Sequence, residues 1–240
     1  MEMRRAREQA EEATKLKDKF VSLVAHDLRS PLTSITGLLK IAASGDYAAG
    51  DQRLSKLLNV TLQSGENMIT IIDDLLNISR LQTGSMQLHP IAINVHALAG
   101  QTLDSVSQLA DKKLLTLSNE VPGSLSVNAD LTLMGEALRN LVSNAIKFTP
   151  EGGVVTVGAE ESNAHVTLSV RDTGVGVPPS MAADLFHHEV RTSTPGTLGE
   201  RGTGLGLPYS HDIVMAHGGE MSFESEPGKG SVFKITLPRG

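Results

Sequence analysis

Between Leu16 and Leu76 apolar residues return every three or four positions, and the chain reads as two long amphipathic helices. The first carries Leu16, Phe20, Leu23, Val24, Leu28, Ile35, Leu38, Leu39 and Ala42 and is expected to run to about Ala43. The second, expected from about Gln52 to Leu81, places Leu54, Leu57, Leu58, Thr61, Leu62, Met68, Ile69, Ile72, Leu75 and Leu76 on one stripe. The connector SGDYAAGDQ supplies Gly45 and Gly50 as stop signals. Two such helices alone leave a greasy stripe on each, so a helical hairpin that pairs with a second copy into a dimeric four-helix bundle is expected.

Past the turn at Thr83-Gly84 the pattern becomes α+β. A helix over about 95–111 is followed by short strands near 114–118 and 125–128 and a helix over 131–148. Two alternating strands, Val154–Ala159 and Val166–Arg171, are joined by a polar turn at Glu161–Ala164. A Gly-, Thr- and Pro-rich stretch over 173–206 is too long for an ordinary connection and reads as a functional lid. A helix over 208–217 and a strand pair, Met221–Ser225 and Ser231–Leu237, complete the pattern. The organisation expected is a linker-helix end (1–15), a helical domain (16–83) and an α+β two-layer sandwich (84–240).

Composition narrows the classes. Aromatic residues make up 3% of the chain and Trp is absent, so the core must be aliphatic. A net charge of -6 offers no basic face, and nucleic acid is not an expected partner. With no cysteine there is no disulfide and no thiolate metal site, which suits a reducing cytosol and a cytoplasmic location for this part of the protein. No apolar stretch approaches the ~20 residues of a membrane span. The opening run RRAREQAEEATKLKDK is charged and helical, as at the end of a linker, so an upstream sensor domain is expected. Membrane anchoring of a longer protein would fall to that upstream segment.

Four short stretches carry chemistry. In VAHDLRSPLTSI, His26 is a neutral imidazole nucleophile beside Asp27, which can orient its tautomer; Arg29 and Ser30 share its face. Pro31 bends the helix one turn later. An exposed histidine beside a chance proline is the plainer account of those residues alone. In RNLVSNAIKFTP, Asn140, Asn144 and Lys147 share one helical stripe, opposite Met134, Leu138, Leu141, Val142, Ala145 and Phe148. An amide oxygen suits Mg²⁺, and a lysine one turn away can neutralise phosphates, although a solvated polar face would look similar. In RDTGVGVP, Asp172 ends a strand where its carboxylate can accept an adenine amino group, and Gly174 and Gly176 let backbone approach base and sugar; an ordinary turn uses the same residues. In RGTGLGLPYS, Gly202, Gly204 and Gly206 precede a helix whose N-terminal amides can hold phosphate. The GKGS at 228–231 reads as a turn, and none of His187, His188, His211 and His217 forms a clear pair with carboxylates at metal-ligand spacing.

In this order and at these separations the four stretches resemble the H, N, G1 and G2 boxes of the two-component sensor histidine kinases. The likeness extends through LQTGSMQLHP and SEPGKGSVFKITLP, from about Lys15 to the end. It implies a dimerisation and phosphotransfer domain joined to a Bergerat-type ATP-binding domain. It makes His26 the phosphoacceptor and Asp27 its acid/base partner, with Arg29 and Ser30 on the phosphotransfer face. Asn144 becomes the Mg²⁺ ligand, Asn140 and Lys147 phosphate contacts, and Asp172 the adenine acceptor. Gly174, Gly176, Arg201, Gly202, Thr203, Gly204, Leu205 and Gly206 complete the ATP set. The implied partners are a second copy and a response-regulator receiver domain. Two departures stand out: Glu189 occupies the place of the family's second lid aromatic, and Ser30 stands where dephosphorylating members often have Thr or Asn. Ser193-Thr194 and GT-x-x-E-x-GTGLGL, from Gly196 to Leu207, resemble a different lid variant of the family. The competing readings are an ATPase of the same nucleotide-site class without phosphohistidine, and a non-catalytic pseudokinase scaffold.

Overall fold

The computed structural model describes residue 28 and residues 31–42, 52–82, 87–162, 164–188, 190, 192, 194–200 and 202–239. His26, Asp27, Arg29, Ser30, Arg201, the linker 1–15 and the connector between the two long helices lie outside the described residues. The chain divides into two compact units, Met1–Leu76 and Asn77–Gly240.

Helix α1 covers 31–42 in the first unit, and helix α2 spans Gln52–Gln82. Their apolar residues divide into two sets. Ile35, Leu38, Leu54, Leu57 and Met68 are half-buried, while Leu39, Leu58, Leu62, Ile69 and Ile72 stay exposed. The side-chain hydroxyls of Thr36, Thr61 and Ser64 each donate to the carbonyl four residues back, which keeps these polar groups satisfied on the helix surface.

The second unit pairs a sheet with a helical layer. Helices α3 (Val95–Asp111), α4 (Leu131–Phe148) and α6 (Gly206–Ala216) pack against a five-stranded sheet of order β2-β4-β5-β7-β6. Its strands are β2 (Thr116–Asn119), β4 (Val154–Glu161), β5 (His165–Asp172), β6 (Glu220–Glu226) and β7 (Gly230–Pro238). Only β2 and β4 run parallel; the remaining pairs are antiparallel. The core side of β5 and β7 is read directly from their period-two alternation: Val166, Leu168 and Val170 lie opposite Leu237, Ile235 and Phe233, and all six are buried. Helix α4 answers with Met134, Leu138, Leu141, Val142, Ala145 and Ile146, all buried. Phe148, expected on that face, is only half-buried.

Helix starts follow their caps. Asn94 accepts from the Ala97 amide at α3, and Asp130 accepts from the Thr132 and Leu133 amides at α4. The N-cap of α6 is Leu205, so this helix starts two residues before Pro208 and takes Gly206 into its first turn. Pro208 is tolerated there because the first four helical amides have no intrahelical acceptor.

Two elements escaped the sequence pattern. Strand β1 (Ile91–Asn94) pairs antiparallel with β3 (Ser126–Ala129) as a separate two-stranded sheet. It has four residues and buries only Ile93, too little to make a period. A single-turn helix, α5 (Pro179–Ala182), interrupts the stretch read as one lid. The strand expected from 114 starts at Thr116, because Leu114 is left-handed with φ 53° and cannot belong to an extended run.

Candidate functional site

Asp172 ends β5 at the position where alternation calls for another core residue. Val166, Leu168, Val170 and Asp172 are all buried, and the carboxylate is 6% exposed. Its cross-strand neighbour Ser231 breaks the apolar row of β7 in the same way. Asp172 Oδ1 accepts from the Gly174 amide at 2.8 Å and from the Ser231 amide at 3.2 Å. Burial pushes the carboxyl above its ordinary range, and the two amides and the Ser231 hydroxyl oppose that without cancelling it. The sheet thus holds an anion at the edge of an apolar layer, anchored on one oxygen by two amides.

The glycines around it are required by this chain's own backbone. A Cβ on Gly174 would lie 2.6 Å from the Phe148 carbonyl oxygen and 2.7 Å from Asp172 Oδ1. Gly176, at φ 71°, would meet the Glu226 carbonyl oxygen at 2.3 Å. The crowding that excludes a side chain at these two positions comes from α4 and from the β6–β7 turn. Gly230 is likewise more than a turn residue, since a Cβ there would overlap the Asp172 carbonyl oxygen at 2.0 Å. The GKGS segment is the far wall of the Asp172 corner.

Helix α4 carries the second set. Lys147 and Asn144 are half-buried, and among the described residues the Asn144 side-chain amide has no hydrogen-bond partner. The Asn140 amide nitrogen makes two long contacts, 3.5 Å to the Gly206 carbonyl and 3.3 Å to the Ser210 hydroxyl, which register the start of α6 against α4. Tyr209 adds a shorter tie, its hydroxyl donating to Glu136 at 2.7 Å. The Lys147 ammonium lies 4.7 Å above the Phe148 ring. Desolvation lowers the Lys147 pKa; Glu200 opposes this and Lys113 adds to it. A partly buried cation held in that state gains from an incoming anion.

The C-terminal end of α4 is where the loops meet. The Val175 amide donates to Phe148 O at 3.1 Å, bringing the Asp172 corner there. The Thr197 amide donates to Lys147 O at 3.0 Å, bringing the later part of the lid there. The earlier part of the lid is held on α6: Leu185 is buried, Phe186 stacks on His211 at 5.3 Å, and the same ring meets Phe223 edge-on at 5.8 Å. His188 Nε2 lies 2.9 Å from Asp212 Oδ2 and His211 Nδ1 lies 3.8 Å from Asp212 Oδ1, so two of the histidines set aside have a carboxylate neighbour, the first much the closer. A separation of 24 residues between lid and helix hid the His188–Asp212 pair from any spacing rule. Gly202, Thr203, Gly204, Leu205 and Gly206 lead directly into α6, with Gly204 at φ 78°.

Asp172, Asn140, Asn144, Lys147 and the 202–206 glycines are thus brought together around α4 in one unit. The residues that sequence reasoning missed are Ser231, Gly230 and Lys113. Ser231 had a signal, a polar residue interrupting an apolar alternation.

Comparison with known proteins assigns the family. The Histidine kinase-, DNA gyrase B-, and HSP90-like ATPase family matches residues 129–240, and the His Kinase A (phospho-acceptor) domain matches residues 16–84. The chain belongs to the histidine kinase family. Among its relatives, the adaptive-response sensory kinase SasA of Crocosphaera subtropica is 33% identical over 242 residues, covering 98% of this chain and 63% of SasA. The kinase core therefore spans less than two thirds of that relative. Full-length ShkA in complex with AMPPNP shares the fold at a TM-score of 0.67 and 26% identity, over 92% of this chain and 45% of ShkA. Histidine kinase ThkA in complex with response regulator protein TrrA gives 0.71 at 22% identity, over 100% and 67%, a likeness of fold. No described helix of this histidine kinase is long and apolar enough to cross a membrane.

Proposed function

We propose that this chain is the kinase core of a two-component sensor. It takes the γ-phosphoryl group of ATP onto a ring nitrogen of His26 and passes it to an aspartate of a response-regulator receiver domain. The observation that carries the reading is the buried Asp172 carboxylate, set beside the α4 stripe of Asn140, Asn144 and Lys147, in a chain whose residues 16–84 match a phospho-acceptor domain. That match favours the kinase over an ATPase lacking phosphohistidine, because such an enzyme has no use for a phospho-acceptor domain.

Each residue has a physical task. Asp172 accepts the adenine amino group, and its two backbone donors keep it from turning away. Asn140 and Lys147 face the phosphates, and the amides of 202–206 at the start of α6 receive them. Asn144 offers a neutral amide oxygen. Among the described residues no cluster of three His, Cys, Asp or Glu side chains exists to cage an ion, so the donor set fits Mg²⁺ shared with phosphate oxygens. When bound, Mg²⁺ would neutralise charge on the transferred group. Asp27 would orient the His26 imidazole and stabilise its developing charge. Transfer of this kind relies on positioning and charge neutralisation, so the approach of His26 to the nucleotide should limit the rate. The exposed Leu58, Leu62, Ile69 and Ile72 support a homodimeric bundle. A cytoplasmic site and an upstream sensor domain follow from the same reading.

The test is incubation of the purified chain with γ-labelled ATP and Mg²⁺. The expected result is protein-bound label, acid-labile and alkali-stable, that disappears in His26→Gln while nucleotide still binds. Steady phosphate release without phosphoprotein would convert the reading to an ATPase, and neither product to a scaffold.

A further inference from the structure

Lys113, between α3 and β2, is 3% exposed, and its ammonium has four oxygen neighbours. They are Ile146 O at 2.9 Å, Lys147 O at 2.8 Å, Thr197 Oγ1 at 2.7 Å and Glu200 Oε1 at 2.5 Å. The first two are carbonyls at the C-terminal end of α4, which lack intrahelical donors and favour a cation. Capping the helix uses two of the three N–H groups. The third contact and the countercharge both come from the lid, and a buried ammonium without that carboxylate would be costly.

We propose that Lys113 is a positioning residue of the nucleotide site and that Gly196, Thr197 and Glu200 form the lid's docking sequence for it. The proposal rests on the ATP-binding reading above. It assigns a task to each fixed letter of G-T-x-x-E. The Thr197 amide donates to Lys147 O at 3.0 Å and its hydroxyl to Thr149 O at 3.0 Å, while Oγ1 accepts from Lys113. Glu200 Oε2 accepts the Leu198 amide at 2.8 Å, and Glu200 O accepts the Gly196 amide at 2.8 Å, which closes the segment on itself. Gly196 must lack a side chain, since a Cβ there would lie 2.4 Å from Glu200 Oε2 and 2.8 Å from Lys147 O. Burial works against the Glu200 carboxylate, yet the Lys113 bond and nearby amides hold its pKa below the usual range. Two residues after Glu200 the chain enters the 202–206 glycines. The Lys113 latch therefore sets where those amides point relative to Lys147 and Asn144.

A lysine that merely capped α4 would make the lid contacts incidental, and this separates the alternatives. Glu200→Gln and Thr197→Val remove the lid half of the latch and leave the two carbonyl contacts that cap α4. Because Glu200→Gln strips the buried ammonium of its countercharge, the nucleotide-free unfolding midpoint should fall, and binding is compared at a temperature where both variants are folded. Both should weaken MgATP binding about tenfold, as expected for loss of a hydrogen bond to a charged group. They should raise KM for ATP while kcat at saturating ATP is kept. Lys113→Met should weaken binding as well, and the double variant with Glu200→Gln should be no weaker than Lys113→Met alone. Hydrogen exchange of the Gly196 and Thr197 amides in the nucleotide-free full chain gives an independent readout, expected to quicken in Glu200→Gln. Wild-type Kd, KM and exchange in Glu200→Gln and Thr197→Val would overturn the proposal. Should the wild-type chain bind no ATP, the functional reading fails, and the exchange result alone decides whether the latch stands.

Discussion

Replacing Asp172 by Asn separates what the site needs from what the fold needs. The substitution keeps the volume and keeps an oxygen to accept the Gly174 and Ser231 amides, 2.8 and 3.2 Å away. It turns the other carboxylate oxygen into an NH₂ group, so an adenine amino group would meet a donor where it needs an acceptor. Losing a hydrogen bond to a charged group costs about 1.5–3 kcal/mol, or roughly a tenfold to hundredfold weaker Kd. The effect on stability should have the opposite sense. Because the folded chain raises this carboxyl above its ordinary 3.8, folded Asp172 holds its proton more tightly than the unfolded chain does. Its ionisation therefore opposes folding, to a degree that grows as pH rises through the window above 3.8 and is complete beyond the folded pKa. Asp172→Asn should thus be at least as stable as wild type at neutral pH without nucleotide, and the gap should close on acidification. Calorimetric ATP titration together with thermal unfolding at several pH values tests both halves. An unchanged Kd with the fold intact removes the adenine role, and a marked loss of stability at neutral pH refutes the reasoning from burial.

Two further variants test separate parts of the reading. Asn144→Ala should abolish the difference between ATP affinities measured with Mg²⁺ and with a chelator, and should prevent autophosphorylation; a persisting Mg²⁺ dependence removes the ligand assignment. Leu58 and Ile72 are 49% and 41% exposed, and changing both to Asp should yield monomers or lost helicity, since unpaired charge in an apolar interface is costly. Light scattering decides, and a wild-type chain monomeric at tens of micromolar, an order-of-magnitude range for a micromolar dimer, refutes the bundle.

What was legible in the sequence was what a local period can carry. Helices α2, α3 and α4 announce themselves by spacing, and β5 and β7 by alternation. Asp172 was legible as a polar end to an apolar strand. Ser231 was visible as a polar break in an apolar alternation, but its pairing with Asp172 was not, because that depends on register with a residue 59 positions away. The glycines illustrate the limit from the other side. At 174 and 176 the sequence shows a glycine but cannot name the atom that excludes a side chain. The obstructions turned out to be Phe148 O and Glu226 O. Lys113 gave no signal at all, since its partners lie 33 and 84 residues on and a lone lysine after a helix is an ordinary solvated residue.

These non-local contacts share a single physical origin in the end of α4. A helix leaves its last carbonyls without intrahelical donors, and something must supply them when that end is buried. Here Ile146 O and Lys147 O take the Lys113 ammonium, Lys147 O also takes the Thr197 amide, Phe148 O takes the Val175 amide, and Thr149 O takes the Thr197 hydroxyl. Three segments far apart in sequence are thereby fixed to the helix that carries Asn140, Asn144 and Lys147. The spacing between the Asp172 corner, the later lid and the α4 stripe is then a property of one hydrogen-bonded terminus rather than of three independent loops. It follows that a change at this terminus should disturb adenine recognition and phosphate contact together, whereas a change at the Phe186–His211 anchor should touch only the earlier lid.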